Sequence, residues 1–420
     1  MPTGPTEPFR LRAVALPAFA PTIVNGIGHA AILPVLALHA RDLGATVGQA
    51  AFVVALLGIG SLLTSLPAGA FVARVGERRA LALAGVLDAV AMAAAALSPS
   101  LPALALAILL SGVSWSVFLL ARQGFLISVT PSHLLARAMS TLGGSHRVGA
   151  FVGPTLGAGL IAWSGDLRAV FWLAAAMALT STVIILLVRD ITPQPAGRAR
   201  AGGEQEGRGS VVTLRGVLVE HRRVLLTLGS AVLVIGGARS LRATVLPLWA
   251  DHVGISAEAT SLVFGVAAFV EILLFYPAGW TMDRFGRTVV AVPVVVLIGL
   301  GVALLPLADG LVLFTVLAVV MAVGNGMGSG IVMTLGADTA PAAGRAQYLG
   351  GWRLAGDVGT TSGPLTVTVL TAVWPLAAAC VVTGVLCLAG SLWVWRRVAA
   401  SEETRRSRLR DAGSGAGPGS

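Results

Sequence analysis

Apolar residues run through this chain in blocks of roughly 20, the length that carries a helix across a bilayer, and short polar turns separate them. Twelve blocks predict twelve transmembrane helices. Six lie near 13–38, 46–71, 80–97, 102–128, 138–163 and 168–188; six more lie near 224–249, 257–280, 289–307, 311–335, 346–373 and 375–395. One long internal segment is polar, residues 189–222, rich in Gly, Arg and Gln with Pro193 and Pro195. That composition predicts a mobile linker. The expected organisation is a bundle over 1–188, a linker over 189–222, a second bundle over 223–397 and a disordered tail over 398–420. Arg10 and Arg12 precede the first block, and no small-residue cleavage site follows a short apolar region. The start therefore reads as an uncleaved membrane helix rather than a signal peptide.

The two bundles repeat one another. Pro67, Ala68, Gly69, Arg74 and Gly76 recur as Pro277, Ala278, Gly279, Arg284 and Gly286, always 210 residues on. Gly149, Gly153 and Pro154 recur as Gly359, Gly363 and Pro364 at the same offset. A duplicated, apolar, helical chain predicts an all-α membrane protein of twelve helices in two pseudo-symmetric six-helix bundles.

Composition agrees. Charged residues make up 11% of the 420 and hydrophobic ones 56%, against about 25% charged in a soluble domain. All 29 basic residues are Arg. The net charge of +10 does not indicate nucleic acid, because the arginines collect in loops, linker and tail as topology demands. Arg74, Arg78, Arg79, Arg137, Arg284, Arg287 and Arg345 share one side, and the other side carries little beyond Arg41 and Arg168. Positive residues stay inside, which predicts cytoplasmic termini and linker in the cell membrane. Cys380 and Cys387, seven apart in one apolar block, read as core residues rather than a disulfide or metal pair.

Six plus six helices, a central linker and a Gly–Arg–Gly loop after the second and eighth helices resemble the major facilitator superfamily. The second loop fits the family pattern through Gly279, Asp283, Arg284, Gly286 and Arg287. The first, with Gly69, Arg74 and Gly76, has Ala73 for the expected Asp and Glu77 for the expected basic residue. The resemblance implies that these loops lock the cytoplasmic side of each half, and the first lock is the doubtful one. On the fifth helix Gly149, Gly153, Pro154 and Gly157 resemble the signature of drug:proton exporters, with Ala158 where a further Gly is expected. The same spacing also serves plain close packing of helices. Arg122-Gln123-Gly124 is a weaker match on the fourth helix.

Ionisable residues at bilayer depth cost about 2.5–3.5 kcal/mol each on insertion scales. The candidates are Asp88, Arg122, Arg147, Arg239, Arg242, Glu271, Arg353 and Asp357. Three acids against five arginines favour an anionic or amphipathic substrate. Thr22, Asn25 and His29 form a polar stripe on the first helix, and Arg239 and Arg242 share a face of the seventh. Aligning Leu33-Pro34 with Leu246-Pro247, 213 residues apart, sets His29 opposite Arg242. The expected substrate cavity is Asn25, His29, Arg122, Arg147, Arg239, Arg242 and Arg353. Glu271 and Asp357 are the candidates for proton coupling, with salt bridges to Arg239 or Arg242, and to Arg353, as the structural alternatives. Trp115, Phe118 and Arg122 share one face of the fourth helix.

The expected function is a secondary transporter, not an enzyme, exporting a small molecule by alternating access. It is driven by the proton gradient without cofactor or metal, and works as a monomer in the lipid bilayer. An importer of organic anions and a non-transporting membrane sensor are the alternatives. No nucleotide-binding loop ending in Lys-Ser or Lys-Thr occurs, so ATP hydrolysis is not expected.

Overall fold

The computed structural model describes residues 11–65, 67–130, 132–187, 216, 219–328, 330–341 and 345–414. Most of the 189–222 linker lies outside the described residues, as do the side chains of Arg137 and Arg345.

The first half comprises α1 (Leu11–Asp42), α2 (Val47–Thr64), α3 (Pro67–Val75), α4 (Glu77–Ala96), α5 (Leu101–Val129), α6 (Ser132–Ser164) and α7 (Arg168–Leu187). The second comprises α8 (Arg222–His252), α9 (Ala257–Phe285), α10 (Thr288–Leu304), α11 (Leu311–Met327), α12 (Ile331–Thr339), α13 (Arg345–Thr371) and α14 (Leu376–Ser414). Among the described residues, ten segments are long and apolar enough to cross a membrane, counting α11 and α12 as one. The fifth and eleventh spans, α6 and α13, complete twelve; Arg147, Arg353 and Asp357 dilute their hydropathy. Large apolar side chains such as Leu63, Val90, Trp163, Leu187 and Val312 stand exposed on the outside, as a lipid-facing surface requires.

Two spans expected as single helices are broken. The second divides between Thr64 and Pro67, and the tenth between Met327 and Ile331. Pro67 disfavours helical geometry in the residue before it. Thr64 and Ser65, just before the break, turn their hydroxyls back onto the carbonyls of Gly60 and Ser61, at 2.7 and 2.8 Å, which weakens this last turn. The repeat copy Pro277 has Phe275 and Tyr276 before it and stays inside a continuous α9. The tenth span breaks in the glycine-rich run Gly324-Asn325-Gly326-Met327-Gly328, where each glycine weakens the helix.

The repeat register is legible in the turns. Gly44 and Gly254 have φ of 85° and 75°, and Gly76 and Gly286 have 87° and 105°. Such left-handed backbone favours glycine. Thr46 and Ser256 cap α2 and α9 with side chains that accept from the third residue on. Every one of these pairs is 210 apart. The offset of 213 for the first and seventh helices is therefore wrong: Pro34 and Pro247 occupy different positions, and the repeat mate of His29 is Arg239.

The expected disordered tail is also corrected, because α14 continues to Ser414. Glu402 accepts from the backbone N–H groups of Arg287 and Thr288 and from the Thr288 hydroxyl, the last at 2.9 Å. A carboxylate thus caps the N-terminus of α10, where the helix dipole favours it. Arg405 pairs with Asp338 at 3.1 Å. Arg287 reaches Asp338 at 3.0 Å and Asp283 at 3.3 Å, so the second loop is locked to α12 and α14 of its own half. The first loop has another anchor. Arg78 donates to the carbonyls of Ile185 and Leu186, at 3.2 and 2.7 Å, at the C-terminus of α7. Arg74 and Arg284 are exposed at this same end of the bundle, called the basic end below. Around Gly279 a side chain would meet nothing within 4 Å, and around Gly69 only Leu120 at 3.8 Å. These two loop glycines therefore do not serve close helix approach.

Candidate functional site

The halves meet along two seams, α2 against α13 and α6 against α9, with α1 against α8 between them. Within each half, small residues let α6 pack closely on α1 and α13 on α8. A Cβ on Gly149 would lie 2.7 Å from the Gly26 carbonyl carbon, and one on Gly153 would lie 2.8 Å from Ala31 N and collide with the Ile27 carbonyl. In the other half a Cβ on Gly363 would lie 2.6 Å from the Gly237 carbonyl. Ile27 and Gly237 are again 210 apart, so the glycines of α6 and α13 hold α1 and α8 in matching ways. Gly157 makes only ordinary contact, 3.6 Å from the Ala31 carbonyl. Pro154 lies inside an unbroken α6.

Within this frame the second half builds a polar network. Arg242 pairs with Glu271 at 2.6 Å. The Asn325 amide donates to the other Glu271 oxygen at 2.8 Å, and Arg239 Nε donates to Asn325 Oδ1 at 2.7 Å. Arg239 also donates to the Gly328 carbonyl at 3.4 Å. A Cβ on Gly326 would lie 2.9 Å from Glu271 Cα, so glycine lets α11 approach α9 at this point. From the first half Arg147 reaches the Glu271 carbonyl at 3.5 Å and stacks over Phe275 at 4.4 Å. Glu271 therefore holds the predicted Arg242 salt bridge and stands at the α6–α9 seam. Asn325 was missed by sequence reasoning; its signal was an amide in an apolar, glycine-rich span.

The first half presents aromatic surface at the matching place. His29 stacks on Trp115 with centroids 4.1 Å apart and planes 8° from parallel. Trp115 continues to Phe118 at 6.3 Å and to His146 at 5.6 Å. Arg122 lies over Phe118 at 5.8 Å. Positions 29 and 115 are the repeat mates of 239 and 325. One geometric contact is thus an aromatic stack in one half and an Arg–Asn hydrogen bond in the other. Asn25 is 2% exposed, buried inside the bundle rather than lining an opening.

At the other seam the Ser65 hydroxyl, shared with the Ser61 carbonyl, lies 3.2 Å from Asp357, and Arg353 donates to the Gln123 side chain at 3.3 Å. Arg353 and Asp357 approach to 3.9 Å along α13. Asp88 takes no part; it is buried between α4 and α5 and accepts from Ser111 at 2.7 Å. Without it, the mid-membrane balance becomes two acids against five arginines. At the end opposite the basic one, Arg41 pairs with Asp251 at 3.0 Å. Phe151 meets Phe269 at 5.7 Å, and Thr155 packs on Gly265. The Arg41–Asp251, Phe151–Phe269 and Thr155–Gly265 contacts lie between that far end and mid-depth, whereas the Arg353–Gln123 contact lies on the basic side of the middle.

The profile of the Major Facilitator Superfamily matches residues 19–238 and 228–416. The chain is 28% identical over 288 residues to the "Transcription regulatory protein OpdE" of Pseudomonas aeruginosa, covering 67% of each chain. It is 26% identical over 174 residues to the "Multidrug resistance protein MdtG" of Salmonella heidelberg, covering 40% of this chain and 43% of that one. The crystal structure of a peptide transporter, POT, in complex with sulfate superposes with a TM-score of 0.73, at 15% identity, over 92% of this chain and 95% of that one. At that identity the likeness speaks for the fold alone. With the family match running across both halves and twelve spans folded as two related bundles, the chain belongs to the Major Facilitator Superfamily, multi-pass membrane transporters rather than enzymes.

Proposed function

We propose that this secondary transporter exports a small organic molecule from the cytoplasm by alternating access, in exchange for protons. The observation that carries the reading is the placement of Glu271. It is an acid at membrane depth, held by Arg242 and Asn325, beside the seam where α6 of the other half must move. Such an acid can exchange a proton when its arginine partner is drawn elsewhere. The basic end is taken as cytoplasmic. The Arg41–Asp251, Phe151–Phe269 and Thr155–Gly265 contacts then close the outer side. The resemblance of the α6 glycines to exporters and the similarity to MdtG support the outward direction. The test is reconstitution in proteoliposomes: an imposed pH gradient should drive substrate movement, and counterflow should occur without one. Transport indifferent to the gradient would reject proton exchange.

A second reading, a membrane sensor, is favoured by the name of OpdE. Counterflow decides between them, since a sensor shows none.

The Arg41–Asp251 pair supplies a graded prediction. Both side chains are over a third exposed, and an exposed pair contributes about 0.2–1 kcal/mol. Asp251→Asn should raise the population open at the far end by at most about fivefold. High salt should mimic it. Spin-label distances between the Gly44 and Gly254 turns measure this; an unchanged distribution would show that the pair does not gate.

A further inference from the structure

We propose that the first half contains an anion subsite, formed by Arg122 and His146 beside the half-buried Trp115, that takes the carboxylate of a flat aryl acid. The proposal rests on the transporter reading and names its substrate class.

Arg122 is 6% exposed. Its Nε and Nη1 are buried, and neither has a hydrogen-bond partner among the described residues. An unsatisfied buried cation is costly, and natural structures keep one where something else completes it. Among the described residues no carboxylate answers this one: Asp357 is committed to Ser65 and Arg353, and Glu271 to Arg242 and Asn325. His146 Nδ1 is buried and unpartnered as well. Its ring lies 5.6 Å from Trp115, the residue that shares a helix face with Phe118 and Arg122. Two groups able to donate hydrogen bonds thus lie along one aromatic strip. The indole is half-buried, stacked by His29. A carboxylate would satisfy the guanidinium with charge-assisted hydrogen bonds, and a flat ring would lie against the part of Trp115 that His29 leaves open. The repeat mates of Arg122 and His146 are Val332 and Gly356, so the second half has no copy of this site.

The test uses the purified full chain in detergent, with benzoate, its neutral amide benzamide, and benzylammonium as probes. Thermal unfolding reads binding, because a ligand stabilises the state that holds it. Benzoate should raise the midpoint and bind about tenfold or more tightly than benzamide, and benzylammonium should have no effect. Arg122→Gln should abolish the benzoate shift while leaving the unliganded midpoint equal or higher, because it removes an unpaired buried charge. A fall in the unliganded midpoint, or failure to fold, would make Arg122 structural and overturn the proposal. So would equal shifts with benzamide, no benzoate shift in the wild type, or a benzoate shift that survives Arg122→Gln. Counterflow in proteoliposomes reports separately. Benzoate binding without counterflow of labelled benzoate keeps the subsite and overturns transport; benzoate counterflow that survives Arg122→Gln keeps transport and overturns the subsite.

Discussion

Glu271→Gln is expected to abolish the response of transport to a pH gradient while ligand binding and counterflow persist. The amide can still accept from Asn325, but it cannot hold a proton in exchange and cannot pair with Arg242 across the present 2.6 Å. Arg242 is left as an uncompensated cation. Breaking a buried pair costs about 3–5 kcal/mol, and the 15% and 12% exposure of the two side chains places this case towards the lower end. A loss of folded yield would therefore accompany the loss of coupling. The double variant Glu271→Gln/Arg242→Gln separates the two effects by removing the stranded charge. Recovery of yield without recovery of gradient-driven transport identifies Glu271 as the proton carrier. If the double variant regains gradient-driven transport, Glu271 is a structural partner only.

The second large effect is expected at a residue with no polar chemistry. Gly153→Ala places a methyl group against the Ile27 carbonyl and 2.8 Å from Ala31 N. The obstruction is main chain, so no rotamer change relieves it, and α1 and α6 must separate. Overpacking of this kind costs about 1–3 kcal/mol or more. The seams of the bundle depend on the same helices, so transport should fall with stability. Gly279→Ala is the control: it shares the motif character of Gly153 but meets nothing within 4 Å. Its unfolding midpoint and transport should match the wild type. Equal effects of the two substitutions would show that backbone approach is not what Gly153 supplies.

Much of the fold was legible because membrane burial is a one-dimensional signal. Long apolar blocks and arginine-rich turns gave the spans, and the 210-residue repeat gave two halves. The misreadings occurred where the signal is local. Pro34 and Pro247 suggested a register that the cap and turn residues Thr46, Ser256, Gly44 and Gly254 correct. The same Pro-Ala-Gly triplet follows a break after Thr64 in one half and sits inside an unbroken α9 in the other. The site was legible as a set of costly charges, but not in its connections. Arg242 and Glu271 are 29 residues apart, and Asn325 joins Glu271 to Arg239 only because Gly326 lets two helices touch. Trp115 and His146 gained meaning from each other, through a proximity set by the packing of α1, α5 and α6.

The Arg41–Asp251 contact has a historical consequence. Its two members are 210 residues apart, so each occupies the same place in its own half, and the pair can meet only on the pseudo-twofold axis. In a dimer of identical subunits that position would face its own copy, Arg against Arg or Asp against Asp, and like charges would repel. Opposite charges there require two halves that mutate separately while remaining partnered. The ion pair therefore arose after the ancestral halves had ceased to be copies of one sequence.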